Sequence, residues 1–334
     1  MLILLKKNDV NHASIYPISQ GMRMKKAILL LNMGGPNNLD EVKVFLDNMF
    51  NDRRIISAPK PIRWLISKLI ILKRLDEAKH NYAKLGGKSP LIKHTDELIK
   101  ALSKEVDASV HAVMRYTPPF AFDVLQKLKN IDEIYAIPLY PQHSSTTTLS
   151  SLDDLYNASN KLGLTNKIKT ISSYHSHPLY IKSIVERIKE VLGNEDASEF
   201  ELLFSAHGLP QKIVDKGDLY QQHIRYTLFY VRKMMLNRGM NFAKTHLAYQ
   251  SRLGPVEWLR PYMDDKLHEF GGKKVIVFPI AFTLDNSETE FELDIEYREL
   301  AHKIGVADYR VAKAPNSHRD FVACLADLYK KMQE

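Results

Sequence analysis

The 334-residue sequence contains one cysteine, Cys324. A lone thiol excludes an intramolecular disulfide and every multi-cysteine zinc or iron–sulfur site. That usage is what a reducing compartment permits, and cytoplasm is the expected location. Long apolar runs are missing as well. Residues 2–5 (LILL) fall short of the apolar part of a signal peptide, and no stretch approaches the roughly 20 apolar residues of a membrane span. GxGxxG is absent, and Gly34-Gly35-Pro36 lacks the lysine and the spacing of a phosphate-binding loop, so a nucleotide enzyme is not expected. No run of Lys and Arg interleaves with aromatics and no zinc-finger spacing occurs, which argues against nucleic acid as a partner. The formal net charge of +8 points instead to an acidic membrane surface or a small molecule carrying carboxylates.

What is present suits a folded protein of about two domains, with 45% hydrophobic residues to build its core. Residues 1–24 lack periodicity and are expected to be a loose extension, with Met22 or Met24 as an alternative start. Beyond them, eight short apolar runs read as buried parallel strands: 27–33, 108–114, 133–139 and 168–173, then 201–206, 245–250, 274–281 and 308–312. Helical patterns separate them, among them 39–50, 91–106, 179–192 and 219–236. Strand alternating with helix predicts an α/β fold.

The two halves echo each other. Pro279, Leu293, Asp294 and Tyr297 follow Pro138, Leu152, Asp153 and Tyr156 at one constant spacing. The first strand of each half ends alike, in Met33-Gly34-Gly35-Pro36 and His207-Gly208-Leu209-Pro210. We therefore expect two similar Rossmann-like, doubly wound domains, 25–174 and 175–316, each with a four-stranded parallel sheet flanked by helices. A cleft is expected where the carboxyl ends of the sheets meet. A last helix within 317–334 is expected to cross back to either domain.

Glu288, Glu292 and Glu296 recur at i, i+4 and i+8, so a helix capped by Asp285 or Ser287 would stack them along one face. No Lys or Arg occupies the neighbouring i+4 slots, and three unpaired like charges repel, which a solvated helix has little reason to bear. His207 ends a strand of the same half and would share the cleft mouth with this acidic file. A histidine with several carboxylates can hold a divalent metal transiently and accept protons near neutral pH. Residues 61–72 (PIRWLISKLIIL) form a lip in which Ile66 and Leu69 are expected to face a flat apolar ligand, with basic edges suited to a membrane surface. Ser144, Ser145 and Thr146 supply a hydroxyl-rich loop at a third-strand end.

These segments resemble the ferrochelatases. LLNMGGP, LGGKSPL, MRYTPP, YPQHSSTTTLSS, FSAHGLP with its following GDLY, YQSRLGPVEWLRPY and PIAFTLDNSETEFELDIEYRELA occur in family order from about residue 27 to 330. The resemblance implies a chelatase-like, two-lobed lyase of the bacterial type without an iron–sulfur cluster and without a permanently bound cofactor. It would insert Fe(2+) into protoporphyrin IX, or coproporphyrin III, in the last stage of haem synthesis. By the same resemblance His207 and Glu288 are the catalytic and metal-binding pair, Glu292 and Glu296 the proton and metal relay, and Met33, Arg115 and Tyr116 part of the porphyrin pocket; Asp285, at the start of the acidic segment, is expected to join the relay. Two departures stand out: Asn286 where many relatives have His, and His143 where Tyr is common. A cytoplasmic location is expected, with peripheral contact at the inner face of the membrane as a further option, and a monomer is favoured. Two alternatives stay open at this point: a chelatase inserting cobalt or nickel into another tetrapyrrole, and a non-catalytic two-lobed haem-binding protein.

Overall fold

The computed structural model describes residues 24–334; the expected loose extension, Met24 apart, lies outside the described residues. The first half contains β1 (Lys26–Asn32), β2 (Ser109–Met114), β3 (Glu133–Pro138) and β4 (Ile168–Thr170). Between them run α1 (Glu41–Phe50), α2 (Lys60–Lys84), α3 (Leu91–Leu102), α4 (Ala121–Lys127) and α5 (Thr148–Leu162). The second half contains β5 (Phe200–His207), β6 (Lys244–Gln250), β7 (Lys274–Pro279) and β8 (Asp308–Val311). Its helices are α6 (Pro178–Leu192), α7 (Gln211–Asp215), α8 (Tyr220–Asn237), α9 (Met263–Leu267), α10 (Tyr297–Lys303) and the terminal α11 (Arg319–Lys331). All eight expected strands form, although the fourth is only three residues long.

Every strand pairing is parallel, and the sheets are ordered β2-β1-β3-β4 and β6-β5-β7-β8, one topology used twice. Helices cover both faces, which is why Ala27–Leu31 reads as an unbroken apolar run: none of the five exposes any surface. The echo in the sequence is real in space, because β3 and β7 end on Pro138 and Pro279. In each sheet the central strands β1 and β3, or β5 and β7, send their connections in opposite directions. The crevice at their carboxyl ends is where an open α/β sheet receives ligands.

The lobes are joined by a common core. Leu91, Leu98 and Leu102 of α3 belong to the same buried cluster as Ile181, Ile184 and Ile188 of α6 and Phe321, Leu325 and Leu328 of α11. The terminal helix therefore crosses back to both domains rather than to one. It packs on α6 and α3, and its Tyr329 hydroxyl donates to Asp107 Oδ1 at 2.7 Å. Cys324 is wholly buried on this helix, and that burial pushes its thiol pKa far up. No helix among the described residues is long and apolar enough to cross a membrane.

Candidate active site

A cavity of about 570 Å³ opens between the lobes at the carboxyl ends of both sheets. Its second-lobe wall is built where β5 and β7 diverge. His207 is the last residue of β5, and Glu288 lies in the segment after β7; His207 Nδ1 and Glu288 Oε2 are 3.0 Å apart. Gly208 is required here: a Cβ would stand 2.7 Å from the Gln250 carbonyl oxygen, which already accepts the Gly208 N–H. The His207 carbonyl accepts the Tyr220 hydroxyl at 2.9 Å, fixing the strand end that carries the imidazole.

The acidic file is not an α-helix. Glu288–Glu296 winds as a π-helix, with Tyr297 N–H bonded to the Glu292 carbonyl five residues back. In an α-helix each i+4 step is staggered by about 40°; the wider π turn removes most of that stagger, so Glu288, Glu292 and Glu296 all line the cavity. The expected caps are corrected too. Asn286 Oδ1 accepts the N–H groups of Glu288 at 2.7 Å and Thr289 at 3.3 Å, while Ser287 makes no capping bond. Asp285, expected in the relay, does not line the cavity. Its Oδ1 accepts Ala314 N–H and its Oδ2 accepts Asn316 Nδ2, bonds that close the loop after β7.

Burial alone would lower the His207 pKa, but the charge and hydrogen bond of Glu288, with Glu292 behind it, outweigh that and raise it above the ordinary imidazole value. Its side chain is 40% accessible, through the cavity it lines. Burial and the Glu288 charge push the Glu292 carboxyl up to about 7, against the lowering effect of donors from Ser251 and Gln250. Gln250 Nε2 donates to Glu292 Oε2 at 3.0 Å, and Ser251 Oγ donates to the same oxygen. Burial, then Glu77 nearby, raises the Glu296 pKa as well.

Both shifts at His207 and Glu292 make the folded chain hold protons more firmly than the unfolded one. Their stabilisation is complete at low pH and is lost as pH rises, for Glu292 between about 4.5 and 7 and for His207 from about 6.5 upward. Glu292→Gln should therefore be more stable than the parent at pH 8 by roughly 2 kcal/mol, discounted for the access the cavity gives to solvent. The advantage should vanish below pH 5. Urea unfolding at the two pH values measures it, and equal stability at pH 8 would show that folding does not raise the Glu292 pKa.

The first-lobe wall carries Met33, Arg115, Tyr116, Ser144 and Thr146, all of which line the cavity. Gly34 turns the chain after Met33 with φ +85°, a conformation that only glycine adopts freely. Arg115 Nη2 pairs with Asp52 at 3.0 Å, and Asp52 also accepts the hydroxyls of Tyr116 and Ser150. Asp52, buried at the end of α1, was missed because a single Asp in a polar turn carries no pattern. Ser145 does not line the cavity; its hydroxyl and N–H, like the Ser144 hydroxyl, go to Asp218 of the second lobe. His143 also stays off the wall, its N–H donated to His223 Nδ1.

The expectation for the lip is corrected by one helical turn and more. Ile66 and Leu69 do not reach the cavity; α2 lines it instead with Arg74, Glu77, Ala78, Asn81 and Tyr82. Ile70 and Ile71 belong to a core with Val42, Phe45 and Leu46 of α1, while Ile62, Leu65, Leu69 and Leu72 form an exposed stripe beside Trp64. The helix is simply longer than its apolar run suggested, and its polar second half is the part that faces the cleft.

Comparison with known proteins gives the same picture. The family model described as Ferrochelatase matches residues 25–333. A protein named Ferrochelatase from Sulfurimonas denitrificans is 49% identical over 317 residues, 92% of this chain and 99% of that one. Another of that name from Nitratiruptor sp. is 50% identical over 311 residues, 92% and 100% of the two chains. Among solved structures, SirB from Bacillus subtilis with Fe3+ matches at a TM-score of 0.55 and 9% identity, covering 92% of this chain and 96% of its own, a likeness of fold alone. The sequence match over nearly the whole length places the chain in the ferrochelatase family.

Proposed function

We propose that this enzyme inserts ferrous iron into protoporphyrin IX within the interlobe cavity, acting as the ferrochelatase of haem synthesis. The observation that carries the reading is the His207–Glu288 pair, 3.0 Å apart at the crevice of a two-lobed α/β cleft large enough for a flat macrocycle. Insertion requires loss of two pyrrole protons, removal of water from the ion and bending of the ring so that nitrogen lone pairs face it. Apolar side chains of α1, Phe45, Leu46, Met49 and Phe50, supply contact area far from the reacting centre, and that binding energy can be spent on the bend. Arg115, oriented by its pair with Asp52 and lining the cavity, would meet a propionate. His207 and Glu288 accept pyrrole protons as a coupled pair, and Glu292, with its pKa about 7, carries protons onward along the π-helix to Glu296. The test is anaerobic mixing with iron(II) and either protoporphyrin IX or coproporphyrin III, following the product spectrum. Faster turnover of coproporphyrin, or of cobalt or nickel over iron, would change the substrate assignment; no repeated turnover would refute an enzyme.

The exposed stripe of α2 fits peripheral membrane contact. Ile62, Leu65, Leu69 and Leu72 follow helical spacing, Trp64 suits the interface, and Lys60 and Lys73 are exposed on the same helix. Leu65→Glu with Leu69→Glu should weaken sedimentation with anionic vesicles at least about tenfold. Porphyrin affinity should stay unchanged, since neither residue lines the cavity. A fall in porphyrin affinity with unchanged vesicle binding would reverse the assignment of this face.

A further inference from the structure

A second group of metal-ligating side chains stands outside the cavity. His94 comes from α3 of the first lobe, while Asp285 and Glu290 come from the segment after β7 in the second. One ligand atom from each lies within 4.8 Å of the other two, and none of the three residues lines the cavity. His94 Nε2 is 3.3 Å from Glu290 Oε1. The other ring nitrogen, Nδ1, is buried without a hydrogen bond. A buried polar atom left unpaired is costly, so as an ion pair alone the arrangement is incomplete.

The surroundings are those of a metal-bound imidazole. Such a ring donates its second N–H to a carboxylate that fixes its orientation. Glu97, one turn further along α3, has Oε2 at 3.6 Å from His94 Nδ1, a small movement short of that bond. Asp285 is already oriented by Ala314 N–H on one oxygen and Asn316 Nδ2 on the other, and each oxygen keeps a lone pair. Glu290 is 44% exposed and gives an ion access from solvent.

We propose that His94, Asp285 and Glu290 form a divalent-metal site that fastens the first lobe to the second, separate from the porphyrin cavity. One imidazole with two carboxylates suits a first-row ion such as Fe2+, Co2+ or Zn2+; Mg2+ and Ca2+ prefer oxygen alone. Three protein ligands leave positions for water, so the ion exchanges. Because the ligands come from both lobes, a bound ion favours the interlobe spacing seen here and stabilises the folded chain by mass action. Nothing in the site depends on His207, Glu288 or a porphyrin.

Equilibrium dialysis with Co2+ on the full chain, read by metal content and by the d–d absorption, tests it. His207→Ala is used as the background so that the cavity pair does not contribute. This variant should still bind one Co2+ that the same variant carrying Glu290→Gln, or His94→Leu, does not. Co2+ at about 100 times its Kd should raise its Tm by several degrees, and the added Glu290→Gln change should remove that rise. Glu290 is partly exposed, so Glu290→Gln folds and decides the matter even if His94→Leu does not. Equal Co2+ content with and without Glu290→Gln, or no Co2+ bound once His207 is gone, would overturn the site and leave the cavity reading untouched.

Discussion

His207→Ala or Glu288→Gln should each cut turnover with ferrous iron by about 10²-fold or more, the scale on which a positioned acid or base is lost. The effect should fall on turnover rather than on porphyrin binding, because on the proposed reading the apolar wall of α1 and Arg115, which line other parts of the cavity, would hold the macrocycle. The pair is a unit: Glu288 both accepts a hydrogen bond from the imidazole and raises its pKa. Removing both groups should therefore cost little more than removing one. Glu292→Gln should cost less, since the Ser251 hydroxyl and solvent remain to carry a proton. Asn286→His is informative in the same assay. Asn286 caps the π-helix by accepting two of its N–H groups, so a histidine at this position must take over that cap, and lower turnover than the parent is expected if it does not. Near wild-type turnover in both His207→Ala and Glu288→Gln would end the assignment.

Asp52→Ala should be the most damaging change away from that pair, costing roughly 3–5 kcal/mol of stability by the ordinary scale for breaking a buried ion pair. The reason is what it leaves behind. Arg115 loses its 3.0 Å partner, and the hydroxyls of Tyr116 and Ser150 lose an acceptor in a buried setting. Asp154, 3.8 Å from the other end of the guanidinium, is too far to replace it well. Porphyrin affinity should fall with stability, since Arg115 and Tyr116 both line the cavity. Asp52→Asn keeps the volume and an acceptor and should lose less on both counts. Urea unfolding and a porphyrin fluorescence titration on the same preparations give the two readings; unfolding within 1 kcal/mol of the parent would show that Asp52 does not anchor the wall.

Much of the molecule was legible before any coordinates. The eight strands could be read because parallel strands buried on both faces must be apolar throughout, as Ala27–Leu31 and Val275–Phe278 are. The twofold architecture followed from Pro138, Leu152 and Tyr156 recurring as Pro279, Leu293 and Tyr297. His207 and Glu288 could be brought to one cleft because one ends a strand and the other lies in the segment after a neighbouring strand, both at the carboxyl edge of a sheet. These are local properties of the chain, or properties of one segment compared with another.

Tertiary structure alone decided the rest. The sequence spacing of Glu288, Glu292 and Glu296 suits both an α and a π turn, and only packing selects the wider one. Asp285 and Asn286 have equally polar side chains, yet one closes a loop on Asn316 and the other caps the π-helix. α2 shows only a short apolar run, and which part of it faces the cleft depends on how it lies across α1. The shared core of α3, α6 and α11, like the meeting of His94 with Glu290, joins segments far apart in the chain. No periodicity records such contacts, because they depend on where one lobe comes to rest against the other.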